Sequence, residues 1–404
     1  MSNQFTRREA GVRTAAAGAL ALAPLKSAQG AISEPFQIAA DPGPIEDLRR
    51  RLRATRFPDA VVSDWSMGTD LGFLRQLVAA WADTYPAADR IGLLNRMPHR
   101  RIVIGGYGVH LLHYRSGAPD AVPLLLMNGW PSSFVEYGKI VPILGAGPVP
   151  FDVVIPALPG FGFSDAPKQP YAVEPHDLYP RLMSALGYDR FFASGTDIGA
   201  GVATRIALRH PQRVMGIHVS AVAEKPRPAG APPPTLDEQA YDAKDAAWEA
   251  EEGGYQAIQS SRPQTLAYGL TDSPAGMAAW IVEKFRAWSD CGGDVFSVFP
   301  LEMLLDNLSI YWISGTMASS LRYYFEAQHL RPPLQPDDFV AVPTAVAVWP
   351  HDLAQPPIEL ARRLYNVTRY TRFPRGGHFP AWEAPERYAA DLKAFVADTL
   401  ATLA

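Results

Sequence analysis

The pentapeptide Gly195-Thr196-Asp197-Ile198-Gly199 constrains this chain more than any other stretch. It reads small-x-acid-x-small, and it separates two segments of different rhythm. Residues 188–194 contain Phe191, Phe192 and Ala193, an apolar run that suits a buried strand. Residues 200–210 read as a helix that Pro211 stops. A strand that becomes a helix within so few residues crowds the backbone around the central position, so the flanks must be small and the central side chain stands clear at the strand end. Such a side chain is placed to react. The same residues also fit a plain helix cap, because an aspartate before a helix can accept from its first-turn N–H groups.

Elsewhere, apolar runs alternate with helical stretches, the rhythm of a mostly parallel α/β sheet. Residues 122–127 and 151–156 are predicted strands, each followed by a loop rich in Gly, Pro and aromatic residues: Asn128-Gly129-Trp130-Pro131 after the first, and Leu158 to Asp165 after the second. Loops at the carboxyl ends of parallel strands build the site in such sheets. The chain has 404 residues, 48% of them hydrophobic, enough for a large core. A net charge of -4 without a long basic run argues against nucleic acid or an anionic membrane surface as partner. The single cysteine, Cys291, excludes an intramolecular disulfide and a Cys-based zinc site.

Residues 1–30 read as an export signal. Arg7-Arg8 precedes an apolar, alanine-rich run from Thr14 to Leu25, and Ala28-Gln29-Gly30 offers a small-residue cleavage site. The run is too short to span a bilayer, so a periplasmic or secreted protein without a stable membrane anchor is expected. Residues 35–115 form a different segment. Ile45, Leu48 and Leu52 recur at helical spacing, and Trp65, Leu74, Leu77 and Trp81 predict a second helix, so both need a surface to pack on. Residues 101–114, around Gly105-Gly106, predict a hairpin leading into the sheet.

The core sheet is then expected in two parts, residues 116–224 and 337–404, interrupted by residues 225–336. That insertion opens and closes on proline-rich stretches, lacks strand rhythm and reads as several helices, which suits a lid over the sheet's active edge. Late strands are predicted at 342–349 and 367–370, and a final amphipathic helix from Pro385. Asp352 follows the first of these strands and His378 the second, with Gly376-Gly377 leaving room beside the histidine. Nucleophile, acid, histidine is the chain order of a triad on an α/β-hydrolase core.

Together these residues resemble the epoxide hydrolases of the α/β-hydrolase superfamily, closest to the microsomal-type group with its extra amino-terminal domain. Asn128-Gly129-Trp130-Pro131 is similar to the family's His-Gly-x-Pro oxyanion loop, with asparagine in place of histidine. Gly160-Phe161-Gly162-Phe163-Ser164 is similar to its Gly-x-Gly-x-Ser turn. The resemblance implies Asp197 as nucleophile, Asp352 as acid, His378 as base, the backbone N–H groups of Trp130 and Ile198 as oxyanion donors, and two lid tyrosines. Those tyrosines are placed at Tyr255, in Gly253-Gly254-Tyr255, and at Tyr324, in the stretch from Ser319 to Glu326, with Tyr323 the neighbour most easily confused with it. The partners so implied are a small apolar epoxide and water, with no metal or organic cofactor.

The residue types fit that chemistry. A carboxylate is ionised at neutral pH and can attack a strained ring carbon without a base, while the departing ring oxygen needs a proton, which phenols can give. Two other readings share these residues: a haloalkane dehalogenase-like hydrolase, whose halide leaves without an acid, and an exported binding protein that kept the fold without the activity.

Overall fold

The computed structural model describes residues 33–223, 225–227 and 230–403, so the expected export signal lies outside the described residues. Among the described residues, nine strands form one sheet: β1 (Ser33–Pro35), β2 (His99–Ile104), β3 (Tyr107–Tyr114), β4 (Val122–Met127), β5 (Phe151–Pro156), β6 (Phe191–Gly195), β7 (Val214–Val219), β8 (Val340–Val348) and β9 (Tyr365–Arg372). Their spatial order is β1-β2-β3-β5-β4-β6-β7-β8-β9. The pairings from β1 through β3 to β5 are antiparallel, and those from β5 to β9 are parallel. This is the α/β-hydrolase architecture expected from the sequence.

The hairpin turns on Gly105 and Gly106, both at positive φ (62° and 85°), the backbone that a two-residue hairpin loop demands. Every residue of β5 and β6 is buried, including Asp152 and Ser194, which is why those strands are mostly apolar rather than alternating. After β4 the chain crosses to one side to form β5 and then returns to the other side of β4 to form β6. The carboxyl ends of β4 and β6 therefore flank the point where strand order reverses, where a crevice opens above an α/β sheet.

Six α-helices between Leu236 and His329 make up the insertion, beginning at a capping box in which Thr235 and Glu238 satisfy each other's backbone N–H groups. The amino-terminal segment differs from expectation at one point. Its second helix spans Leu71–Ala79, so Trp65 lies before it, its ring 4.9 Å from that of Phe73, and Trp81 sits on a π-helical turn at Ala80–Thr84. The four aromatic and leucine positions repeat at helical spacing, but Asp70 caps the Phe73 N–H and starts the helix after Trp65.

The same segment grips the lid. The indole of Trp81 donates to Ser309 at 3.0 Å, the hydroxyl of Tyr85 donates to Asp306 at 2.7 Å, and Arg90 pairs with Asp306. Asp306 and Ser309 belong to the Leu301–Ser314 helix, whose other side chains reach the loop after β4. Among the described residues, no helix is long and apolar enough to cross a membrane.

Candidate active site

Asp197 lies two residues beyond β6 with φ 50° and ψ -126°, a conformation that costs an ordinary residue free energy and that glycine-flanked turns can hold. The flanking glycines are obligatory for a steric reason. A Cβ on Gly195 would lie 2.2 Å from the backbone of Gly199, and one on Gly199 would lie 2.0 Å from the carbonyl oxygen of Met127. The Asp197 side chain makes no capping bond to the Ile198–Arg209 helix. Its Oδ1 accepts instead from the backbone N–H of Trp130 at 2.8 Å. Gly129 makes that approach possible, since a Cβ there would sit 1.9 Å from the same oxygen. Ile198, the first helical residue, directly follows Asp197, and a first-turn N–H has no partner within its helix.

His378 lies in the loop after β9, and Asp352 in the loop after β8. Its Nδ1 is 2.7 Å from Asp352 Oδ1, and its Nε2 faces Asp197 Oδ2 at 3.5 Å. The tie to Asp352 fixes the ring so that the Nε2 edge points at the turn. Burial opposes a charged imidazole here, but the two carboxylates outweigh it and raise the histidine to about 10. The loop is clamped from the lid side: the His378 N–H donates to the carbonyl of Trp288 at 2.8 Å, and Glu383 receives the N–H groups of Phe379 and Asp290 at 2.8 Å each.

Tyr255 and Tyr324 come from the lid helices Gly254–Ser261 and Met317–His329 and converge on Trp130. The Tyr255 ring stacks on the indole at 5.5 Å with an interplanar angle of 7°, and the Tyr324 ring meets it edge-on at 6.0 Å. The two phenol groups interact with each other, their ring centroids 5.9 Å apart. Burial raises both phenols, with the charge of Asp197 adding to it, so both stay protonated through the ordinary pH range. Tyr323 turns elsewhere, its ring edge-on to Phe161 and beneath the guanidinium of Arg331.

Asn307 and Tyr311, to which the sequence reading gave no role, and Trp288, a lid aromatic that it left between substrate pocket and lid core, complete the surroundings. Asn307 and Tyr311, four apart on the Leu301–Ser314 helix and so on one face, donate to the carbonyls of Pro131 at 2.9 Å and Ser132 at 3.1 Å. An asparagine and a tyrosine at that spacing within a largely apolar helix were the available signal. Trp288 closes the site, 4.9 Å from the Tyr255 ring and 5.1 Å from His378. Of the lid aromatics, Phe285 and Phe299 pack against Phe379 and Trp382 as core between lid and histidine loop.

A second serine–histidine–aspartate set exists. Ser194, His218 and Asp391 are linked at 3.1 Å and 3.1 Å, but Ser194 and His218 are fully buried under Tyr388 and no reactant can reach them. That set knits β6, β7 and the terminal helix. Among the described residues, no group of three or more His, Cys, Asp or Glu is arranged to hold a metal ion.

A strained aspartate on a strand-to-helix turn, facing an Asp-supported histidine beneath a helical lid, defines an enzyme of the α/β-hydrolase fold. Comparison with known proteins agrees. Residues 33–137 match the family model described as epoxide hydrolase N terminus, and residues 122–250 match that of the alpha/beta hydrolase fold. A Stigmatella aurantiaca protein provisionally named an epoxide hydrolase is 39% identical over 374 residues, covering 89% of this chain and 83% of its own. Epoxide hydrolase 1 of Sus scrofa is 30% identical over 400 residues, covering 90% and 88%. The crystal structure of juvenile hormone epoxide hydrolase from the silkworm Bombyx mori superposes with a TM-score of 0.84 at 28% identity, covering 94% of this chain and 97% of that one. The chain belongs to the epoxide hydrolase family and is a hydrolase of that class.

Proposed function

We propose that the protein converts an apolar epoxide to a vicinal diol through an ester on Asp197. The observation that carries this reading is the convergence on Trp130: its backbone N–H holds Asp197, and its indole lies against both phenols, so nucleophile and proton donors are registered to one residue. The indoles of Trp130 and Trp288 suit an apolar substrate.

In the first step, Asp197 attacks a ring carbon, the C–O bond of the ring breaks, and the oxygen takes a proton from one of the paired phenols. The resting imidazolium of His378 then returns a proton to the phenolate, which leaves the histidine neutral. Esterification has by then removed the charge of Asp197, one of the two carboxylates that hold the histidine pKa up, so the neutral base becomes accessible. His378 next takes a proton from water, and the hydroxide adds to the ester carbonyl. The N–H groups of Trp130 and Ile198 are the donors for the resulting oxyanion. Collapse expels the diol's alkoxide, which takes the proton of the new carboxyl group, so the carboxylate is restored and His378 remains the imidazolium.

A single turnover in heavy-oxygen water tests the route. With enzyme in excess, the first diol should carry light oxygen from the carboxylate, and the heavy isotope should appear in the peptide containing Asp197. Heavy oxygen in the diol alone would mean direct attack by water and remove Asp197 as nucleophile. We also propose export through residues 1–30; a bacterial fractionation that finds the uncleaved protein in the cytoplasm would reject this.

A further inference from the structure

The loop after β4 contains a chain of polar groups that the reaction above does not use. Gly129 C=O and Trp130 N–H belong to one planar peptide unit, so whatever grips the carbonyl also aims the N–H at Asp197. Asn128 Nδ2 donates to that carbonyl at 3.0 Å and to Ser132 Oγ at 3.2 Å. Ser132 Oγ lies 3.2 Å from the same carbonyl and 2.5 Å from Oε2 of Glu136, a residue 1% exposed. The other oxygen, Oε1, has no protein partner among the described residues.

Ser132 has one hydroxyl proton and two acceptors within reach, and it cannot serve both at once. We infer that Glu136 is a positioning residue for ester hydrolysis: when protonated it donates to Ser132 Oγ and frees the serine hydroxyl for the Gly129 carbonyl, and when ionised it takes that hydroxyl away. In the first state the carbonyl has two donors, which fixes the peptide plane and strengthens the Trp130 N–H toward the oxyanion. In the second state only Asn128 holds it.

The surroundings make both states accessible near neutral pH. Burial raises Glu136 to about 7 against the opposing hydrogen bond from Ser132; the groups facing it are His378, which favours its ionised form, and Asp197 and Glu383, which oppose it. The phenols of Tyr137 and Tyr388 also lie within its field.

The inference rests on the aspartyl-ester reading for the step it assigns, and pre-steady-state decay of the ester against pH tests it. His378 gives a limb that rises with pH, while Glu136 adds a fall of roughly 3- to 10-fold as it ionises, the worth of one hydrogen bond in the transition state. Glu136→Gln donates permanently to Ser132, so the falling limb should vanish with the rate held at its upper level. Ser132→Ala breaks the relay and should also abolish the limb, but with the rate held at its lower level. Should Glu136→Gln not fold, Ser132→Ala carries the test alone. Glu383→Gln, which removes the other glutamate raised to about 7, should keep the limb. A limb that persists in Glu136→Gln or Ser132→Ala, or disappears only in Glu383→Gln, overturns the inference. Heavy oxygen in Asp197 alongside such a result would leave the ester route standing, whereas no label in Asp197 sinks that route itself.

Discussion

Trp130 and Asp197 are joined by a backbone N–H to carboxylate hydrogen bond of 2.8 Å that spans 67 positions of the chain. The bond exists because β4 and β6 are parallel neighbours, with Met127 opposite Gly195 at their carboxyl ends. In the proposed route the nucleophile is thus held by its own oxyanion donor before substrate arrives, so little reorganisation is needed during reaction.

Gly129→Ala should cripple the enzyme without unfolding it. The added Cβ would lie 1.9 Å from Asp197 Oδ1, so the loop must retreat and the Trp130 N–H goes with it. Loss of one oxyanion donor costs about 10²–10³ in kcat. Steady-state kinetics with a circular dichroism control checks this, and a kcat within about threefold of wild type would show that the donor is dispensable.

Removing the phenol hydroxyls should stop ring opening. Tyr255→Phe or Tyr324→Phe alone should lower the rate of ester formation, and the double variant should lower it by about 10²–10⁴ with an unchanged melting temperature. Tyr323→Phe should affect ester formation far less, because that ring faces Phe161 and Arg331. Rapid-quench detection of the ester distinguishes these cases, and undiminished ester in the double variant removes both tyrosines from the mechanism.

His378 should make stability fall on the alkaline side. Its imidazole, near 6.5 when unfolded, is raised in the fold to about 10 because the Asp352 and Asp197 carboxylates outweigh burial. The stabilisation is therefore complete below about pH 6.5 and is lost as pH climbs toward 10. The melting temperature of wild type relative to His378→Asn should shrink across that interval, and a constant difference from pH 6 to 10.5 would contradict the assigned pairing.

Asp306 should matter although it lies outside the reacting groups. It receives Tyr85 and Arg90 from the amino-terminal segment, and its neighbours Asn307 and Tyr311 hold the loop that bears Trp130. Asp306→Asn should cost about 1.5–3 kcal/mol of stability, the worth of a hydrogen bond to a charged group, and lower kcat more than it changes KM. Urea denaturation and kinetics together check this; a normal kcat in a destabilised protein would mean that the segment supports the fold only.

Much of the site was legible because its constraints are local. The pattern around Asp197 is dictated by a turn whose flanking residues cannot carry a Cβ. Gly376 and Gly377 beside His378 are equally constrained, since a Cβ on the first would meet Trp349 at 2.9 Å and on the second the Trp288 carbonyl at 2.5 Å. The mostly apolar runs of β5 and β6 announced strands covered on both faces. Trp65 misled because helical spacing says nothing about where a cap begins the helix.

The sequence by itself determined the order of the elements, the strand-to-helix turn, the helical insertion and the places of Asp352 and His378 after the last two strands, since periodicity and steric exclusion act over a few residues. Only the tertiary structure decided that Tyr324 rather than Tyr323 meets Trp130, that Asn307 and Tyr311 hold the loop after β4, and that Glu136 lies buried behind Ser132. Those relations depend on how separate helices dock across the sheet's edge. A side chain's direction there is set by packing between segments far apart in the chain, which no local pattern encodes.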